Sequence, residues 1–477
     1  MKTFWTKKGI AQCEVHPIFG SLTFLQKINP GLWMADIYNK YRCPYVGIWV
    51  FWRPGLVVNC PSIARNILLK DSDNFRNRLL GTGTADKLGT LNLFTCNDPL
   101  WTIVRKKLTS VFTASKLRGW EDLYKSKSAD LVQRIKSDNE NGITNSLKPL
   151  FADYATDIIG ESAFGIKCEA TKHSTGPLRA MTKEFEKYDT FRGIQWSSIF
   201  FFPELADFLR FTFWPKHTMT YFRKVFSMIV KERGGYEKET DGRRDLMDAL
   251  LKMKQDAMKE NQNLDEVVVI SNAMIFLQGG YDTTATTLTY IIYELAHHPQ
   301  YQQKVYEELI EAKSNNDDKE LKESDLGQLP YFNAVIKETL RKYPVMGWLD
   351  RIALKEYQVD QHLTIPAGTV VYININGMQQ DPVLFPDPTV FKPERFLPEN
   401  VKNIKPYTYM PFGEGPRSCI GKRFGMISLS FALAALISNF ILKPLPNAPA
   451  PNDAAIDNKG MFYSPGEALS VQFISRN

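Results

Sequence analysis

The chain is predicted to fold as a single large domain, mainly α with a small β region, and three observations carry that prediction. Apolar residues recur with the 3.6-residue period of a helix over residues 124–137, 149–165 and 267–298. Strand-like runs are fewer and shorter, at residues 45–50, 56–58 and 368–373. No long Gly/Ser or Pro-rich linker, low-complexity tract or internal repeat divides the 477 residues, although length alone would allow about three domains.

Composition narrows the function classes. With 44% apolar and 23% charged residues, the chain has ample core-forming material. Its 59 basic and 52 acidic side chains leave a net charge of +7. That balance is too mild for nucleic acid and suits an acidic protein partner or an anionic membrane surface. Cysteines stand at 13, 43, 60, 96, 168 and 419, with no CxxC pair and no His-rich segment, so a zinc site is not indicated. Free thiols of this kind fit a reducing compartment or the cytosolic face of a membrane.

In chain order, residues 1–18 form an N-terminal segment with no apolar run long enough to span a bilayer and no signal-peptide core. Residues 19–477 form the folded domain. Trp101 and Arg105 stand four apart, so a helix there turns both toward one ligand. Within the longest helical pattern, Gly279 and Gly280 should each cost about 1 kcal/mol relative to alanine. Missing side chains there open a gap beside the backbone, and a threonine hydroxyl bonded one turn back bends the helix. Such a groove could seat a diatomic ligand, with Asp282 and Thr283 carrying protons to it. The alternative is a plain glycine contact in a helix crossing. Further on, Glu338 and Arg341 share one helical face, and Pro344 terminates that helix.

The most informative segment runs from Phe412 to Gly421 and places one cysteine in a glycine-rich turn ahead of an apolar, helix-like stretch. Gly413 and Gly415 permit positive φ, and Gly421 leaves room for something flat to approach the backbone. Cys419 falls at a helix N-terminus, where the macrodipole and unpaired N–H groups favour thiolate and hence metal binding. Arg417 can meet an anionic cofactor edge. The competing reading is a buried, inert cysteine.

Taken together and in this order, these segments resemble the cytochrome P450 family from about residue 19 to 463. Phe412, Gly415, Arg417, Cys419 and Gly421 match every fixed position of its haem-ligand loop, Phe-x-x-Gly-x-Arg-x-Cys-x-Gly. The resemblance implies the P450 fold and haem b with Cys419 as axial thiolate. It also implies an oxygen-binding helix through Gly279, Gly280, Asp282 and Thr283, and propionate contacts from Trp101, Arg105 and Arg351. Glu338, Arg341 and Arg395 would form a buried network supporting the haem loop. The implied reaction is monooxygenation, placing one atom of O2 in a lipophilic small molecule with electrons from NADPH–cytochrome P450 reductase, or from cytochrome b5 as a second donor. A haem-thiolate isomerase or dehydratase, or a haem carrier or sensor, remains as an alternative.

Likeness at residues 4–9, 81–83 and 91–94 is greatest to insect microsomal members that oxidise plant toxins and insecticides, which implies the cytosolic face of the endoplasmic reticulum membrane. Family members usually begin with an apolar anchor and a proline-rich hinge, whereas only Pro17 precedes Phe19 here. Arg105, Lys106, Lys107, Lys116, Arg118, Lys422 and Arg423 form the expected basic docking face for the reductase. Selectivity is expected in the loop before Trp101 and in residues 185–223, 345–349 and 461–463. The aromatic runs 199–203 and 211–215 are read either as a bilayer-dipping surface or as core.

Overall fold

The computed structural model describes all residues except 1–2, 188, 239–244, 262–263, 317–319 and 477. Near the N-terminus, strands β1 (Tyr45–Val50) and β2 (Arg53–Val58) form a tight antiparallel hairpin with Tyr45 opposite Val58. Strands β3 (Trp348–Ile352) and β4 (Val370–Asn374) come from 300 residues further on and complete one sheet in the order β1-β2-β4-β3. The β2–β4 pairing is parallel, and β3–β4 is antiparallel with Asp350 opposite Tyr372. Strand β3 was not expected from the sequence, because Asp350 and Arg351 interrupt its apolar run. Residues 4–13 dock on β1: Trp5 is fully buried, its indole N–H donates to the Ile48 carbonyl at 3.1 Å, Cys13 N donates to Gly47 O at 2.9 Å, and Gly47 N donates to Ala11 O at 2.8 Å.

Six helices position everything that follows. They are α1 (Leu100–Thr109), α2 (Glu121–Glu140), α3 (Leu147–Phe164), α4 (Glu266–His297), α5 (Pro330–Lys342) and α6 (Lys422–Asn439). Helices α2, α3, α4 and α6 touch in a closed ring, α2 on α3, α3 on α4, α4 on α6 and α6 on α2. Helix α4 has 32 residues and so runs about 48 Å through the molecule. Its side chains and those of α3 are buried almost all round, which is why their amphipathic signal is weak although their apolar content is high. The Asp265 carboxylate caps α4 by accepting from Val267 N, and Gly165, at φ +70°, closes α3 in the left-handed conformation that glycine adopts freely. Helix α5 stops at Lys342, two residues before Pro344, as the sequence requires.

Candidate active site

The loop that precedes α6 folds back on itself. Cys419 N donates to Phe412 O at 2.8 Å, Ser418 N to Gly415 O at 3.0 Å, and Gly413 N to Met410 O at 2.9 Å. Gly413 and Gly415 take φ of +67° and +76°, and a Cβ on Gly415 would collide with the Leu68 carbonyl. Beyond them Gly421 faces open space. Cys419 lies two residues ahead of Gly421, the N-cap of α6, and its side chain is reachable by water although protein atoms crowd around it. Burial pushes its thiol upward, while the Gly421 N–H, Arg105 and Lys422 act in the opposite direction. The helix-terminus contribution is therefore present and is outweighed. A cation on the sulfur reverses that balance, because a coordinating thiol is deprotonated outright.

Above this loop, four arginines converge. Arg417 donates to Arg76 O at 2.5 Å and to Cys96 O at 2.9 Å, and its guanidinium lies 4.3 Å from the centroid of the Trp101 ring. Arg351 donates to the Asp350 carbonyl at 2.8 Å. Arg105 shares a face of α1 with Trp101 and looks toward Cys419. Sequence reasoning missed Arg78, which enters because Ile352 N bonds Asn77 O at 2.9 Å and Leu79 N bonds an Asp350 carboxylate oxygen at 3.0 Å, pinning its loop to β3. No local signal marks it, since its place is set by a strand about 270 residues away.

Among the described residues, little negative charge faces this cluster. Burial and mutual repulsion lower the pKa of Arg351 and Arg417 to about 9, and burial lowers those of Arg78 and Arg105. Among the described residues, Arg78 Nε and Nη1 and Arg417 Nη1 are buried without a hydrogen-bond partner, and Asp350 is the one carboxylate that faces them. Buried guanidinium donors left unsatisfied are costly, so the arrangement calls for a ligand that carries carboxylates. A flat macrocycle with two propionates and a metal open to thiolate fits these residues: the arginines would hold the propionates and Cys419 would offer the thiolate.

On α4, the Thr283 hydroxyl donates to the Gly279 carbonyl one turn back at 2.8 Å, as the sequence suggested. Gly279 faces open space, but a Cβ on Gly280 would lie 2.8 Å from Ile159 of α3. Gly279 thus opens the groove, whereas Gly280 is a helix-crossing contact. Asp282 is buried and turns to Lys148, 3.4 Å away, whose ammonium also donates to Ser464 Oγ at 2.6 Å.

Glu338 and Arg341 form a fully buried, two-pronged pair with both N–H···O distances at 2.8 Å. Arg395 joins Glu338 at 3.4 Å, and Lys392 N donates to the same carboxylate at 2.9 Å. The three residues named from the sequence therefore meet.

Two surface expectations change. Phe200, Phe201, Phe213 and Trp214 are buried at 2% exposure or less, so the aromatic runs belong mainly to the core. Exposed apolar side chains lie beside them instead: Phe19 packs on Phe51, and Phe51 and Trp52 pack on Phe202, which leads into helix Pro203–Phe208, where Phe208 is 82% exposed. On the basic face Lys106, Arg118, Lys422 and Arg423 are exposed, Lys107 pairs with Asp256 at 2.6 Å and Arg423 with Glu323 at 3.5 Å. Arg105 leaves that docking set because it looks inward at Cys419. Among the described residues, no helix is long and apolar enough to cross a membrane.

Residues 12–467 match the family model for cytochrome P450. The chain is 33% identical to cytochrome P450 6k1 of Blattella germanica over 98% of this chain and 92% of the relative. It is 31% identical to cytochrome P450 6a2 of Drosophila melanogaster over 92% and 88%, and 30% identical to cytochrome P450 3A25 of Mus musculus over 99% and 92%. Fold, site geometry and these relatives agree: the chain belongs to the cytochrome P450 family of monooxygenases, which carry haem ligated by a cysteine thiolate.

Proposed function

We propose that this P450 oxidises lipophilic foreign compounds, plant toxins and insecticides among them, with Cys419 as its iron ligand and NADPH as the electron source through a flavoprotein reductase. The observation that carries the ligand assignment is the set of unpartnered guanidinium donors on Arg78 and Arg417 above the Cys419 loop. Likeness to insect relatives supports the substrate class. When bound, the haem activates O2, so that two electrons and two protons convert one oxygen atom to water while the other enters a substrate C–H bond or double bond.

The chain's own residues orient and protect that chemistry. Arg78, Arg105, Arg351 and Arg417 would hold the propionates, with Trp101 stacked beneath Arg417. The Thr283 hydroxyl already donates to Gly279 O, so it passes its proton into the groove only once that bond is released, and its lone pair then accepts a replacement. Asp282 supplies that replacement once its carboxylate has left Lys148 and taken up a proton from solvent. Trp196, Phe200 and Phe462 pack into an aromatic cluster from the segments where selectivity is expected, which suits a greasy substrate.

Phe19, Trp52, Phe208 and Leu209 give the protein an apolar rim suited to the cytosolic surface of the endoplasmic reticulum, and Lys106, Arg118 and Lys422 suit an acidic reductase or cytochrome b5. The test is the Soret band of the dithionite-reduced carbon monoxide complex, followed by NADPH consumption with reductase across a panel of lipophiles. A far red-shifted band that Cys419→Ala abolishes supports the assignment. A histidine-type band overturns the ligand, and a normal band with no oxidised lipophile overturns the substrate class.

A further inference from the structure

Gln379 ends the short helix Ile375–Gln379 that follows β4, and its side chain is fully buried. Its amide nitrogen donates to Leu340 O at 3.1 Å and to Arg341 O at 2.8 Å, carbonyls of the last turn of α5 that lack an intrahelical partner. Its amide oxygen accepts from Met410 N at 3.0 Å. Its own backbone carbonyl accepts from Arg341 Nη1 at 2.9 Å. One residue therefore grips the end of α5, takes a donor from the buried Glu338–Arg341 pair, and fixes Met410, whose carbonyl in turn holds Gly413 at the start of the Cys419 loop.

We propose that Gln379 is the positioning residue through which the Glu338–Arg341 pair sets the geometry of the haem loop. The proposal rests on Cys419 being the iron ligand. An amide is suited to this post because it supplies two donors and an acceptor from one planar group, and here all three are used. A carboxylate lacks the donors, and an apolar side chain leaves the buried Met410 N–H and two α5 carbonyls unpaired. Tyr409 makes the one parallel link found among the described residues, its hydroxyl donating to Lys337 O at 3.2 Å, and it acts one residue earlier in the chain.

Gln380 supplies an internal control. It also donates to the end of α5, to Lys342 O at 3.0 Å, yet its described contacts do not reach the haem loop. The test compares the holoenzymes of wild type, Gln379→Met and Gln380→Met in three readouts: thermal midpoint, haem transfer rate to apomyoglobin, and the share of the carbon monoxide complex in the far-red thiolate band. Both variants should lose thermal stability. In Gln379→Met alone, haem should leave about tenfold faster or more and part of the complex should shift to the band of a lost thiolate. If Gln379→Met yields no holoprotein, Gln379→Glu, which keeps the acceptor for Met410 N, carries the same readouts, and a partial shift is expected. A far-red share equal to wild type in the Gln379 variant, or equal losses in the Gln379 and Gln380 variants, overturns the positioning role. A wild-type complex without the far-red band would instead overturn the ligand assignment beneath it.

Discussion

Arg417 lies over the Trp101 ring at 4.3 Å from its centroid, yet its Nη1 is buried with no partner among the described residues. One face of the guanidinium is thus satisfied by the aromatic quadrupole and two backbone carbonyls, while one corner is held ready for something absent from the polypeptide. Arg78 repeats the pattern with its guanidinium 4.8 Å from the centroid of Phe94 and two free nitrogens. A fold that holds such donors dry has set its electrostatics for a bound anion.

Arg78→Met should therefore have opposite effects on two states of the protein. The apoprotein loses a buried, unpaired cation and becomes more stable, whereas the holoprotein loses a charge-assisted contact of about 1.5–3 kcal/mol, which is about 10- to 100-fold in haem retention. Thermal unfolding of the apo and holo forms, with haem transfer to apomyoglobin, checks both signs.

Glu338→Ala strands Arg341 in a site of zero exposure and should cost about 3–5 kcal/mol. Haem incorporation should fail rather than turnover merely slow. The paired change Glu338→Leu with Arg341→Met should be milder than either single loss, because no lone charge remains. Urea unfolding and the haem-to-protein ratio of the purified variants decide this, and normal haem content in the single variant would contradict it.

Much of this site is legible in the chain because its signals are local. The glycine-rich turn around Cys419, the Glu338/Arg341 spacing and the long apolar pattern of α4 each depend on residues within a few turns. Arg78, Gln379 and Lys148 were not legible, since each matters only through a partner 31 or more positions away: Asp350 beside Arg78, Met410 beside Gln379, Asp282 beside Lys148. The aromatic runs left two readings open, bilayer surface or core. Composition flags Phe200, Phe201, Phe213 and Trp214, but burial depends on packing, and the rim is built by Phe19, Trp52 and Phe208.

Asp282→Asn should slow product formation by about 10²-fold or more while leaving the carbon monoxide spectrum unchanged. The carboxylate pairs with Lys148 and supports the proposed proton route without belonging to the Cys419 loop. Stopped-flow and steady-state turnover with reductase, set beside the Soret band, separate a proton-delivery defect from haem loss.

Trp52→Ser combined with Phe208→Ser should weaken binding to phosphatidylcholine vesicles without altering the haem spectrum. Both side chains are at least half exposed, so their removal opens no core cavity. Vesicle flotation measures the loss, and unchanged flotation would move the proposed membrane rim elsewhere.

His298 and Glu294 make the stability of α4's C-terminus depend on pH with a definite sign. His298 caps the helix and stands 3.3 Å from the Glu294 carboxylate, which also holds Lys342 at 2.7 Å and the Tyr343 hydroxyl at 2.6 Å. The carboxylate beside it raises the imidazole pKa above its ordinary value of about 6.5, against opposition from burial, and the negative end of the helix favours the same charged form. A raised folded-state pKa gives stabilisation that is complete below about pH 6.5 and lost as pH rises through the higher folded value. Glu294 runs the other way: burial alone would raise its carboxyl, but His298, Lys342 and Tyr343 together hold it below the usual range of about 4.3. Its contribution is complete above that range and lost as pH falls through the depressed folded value. The two together predict a plateau from about pH 4.5 to 6.5. Because His298 is partly solvated, its share should be about 1 kcal/mol or less. The stability difference between wild type and His298→Gln, followed by thermal unfolding from pH 5 to 9, should therefore be largest near pH 6 and shrink as pH rises, and a difference that grows with pH would reverse the assignment.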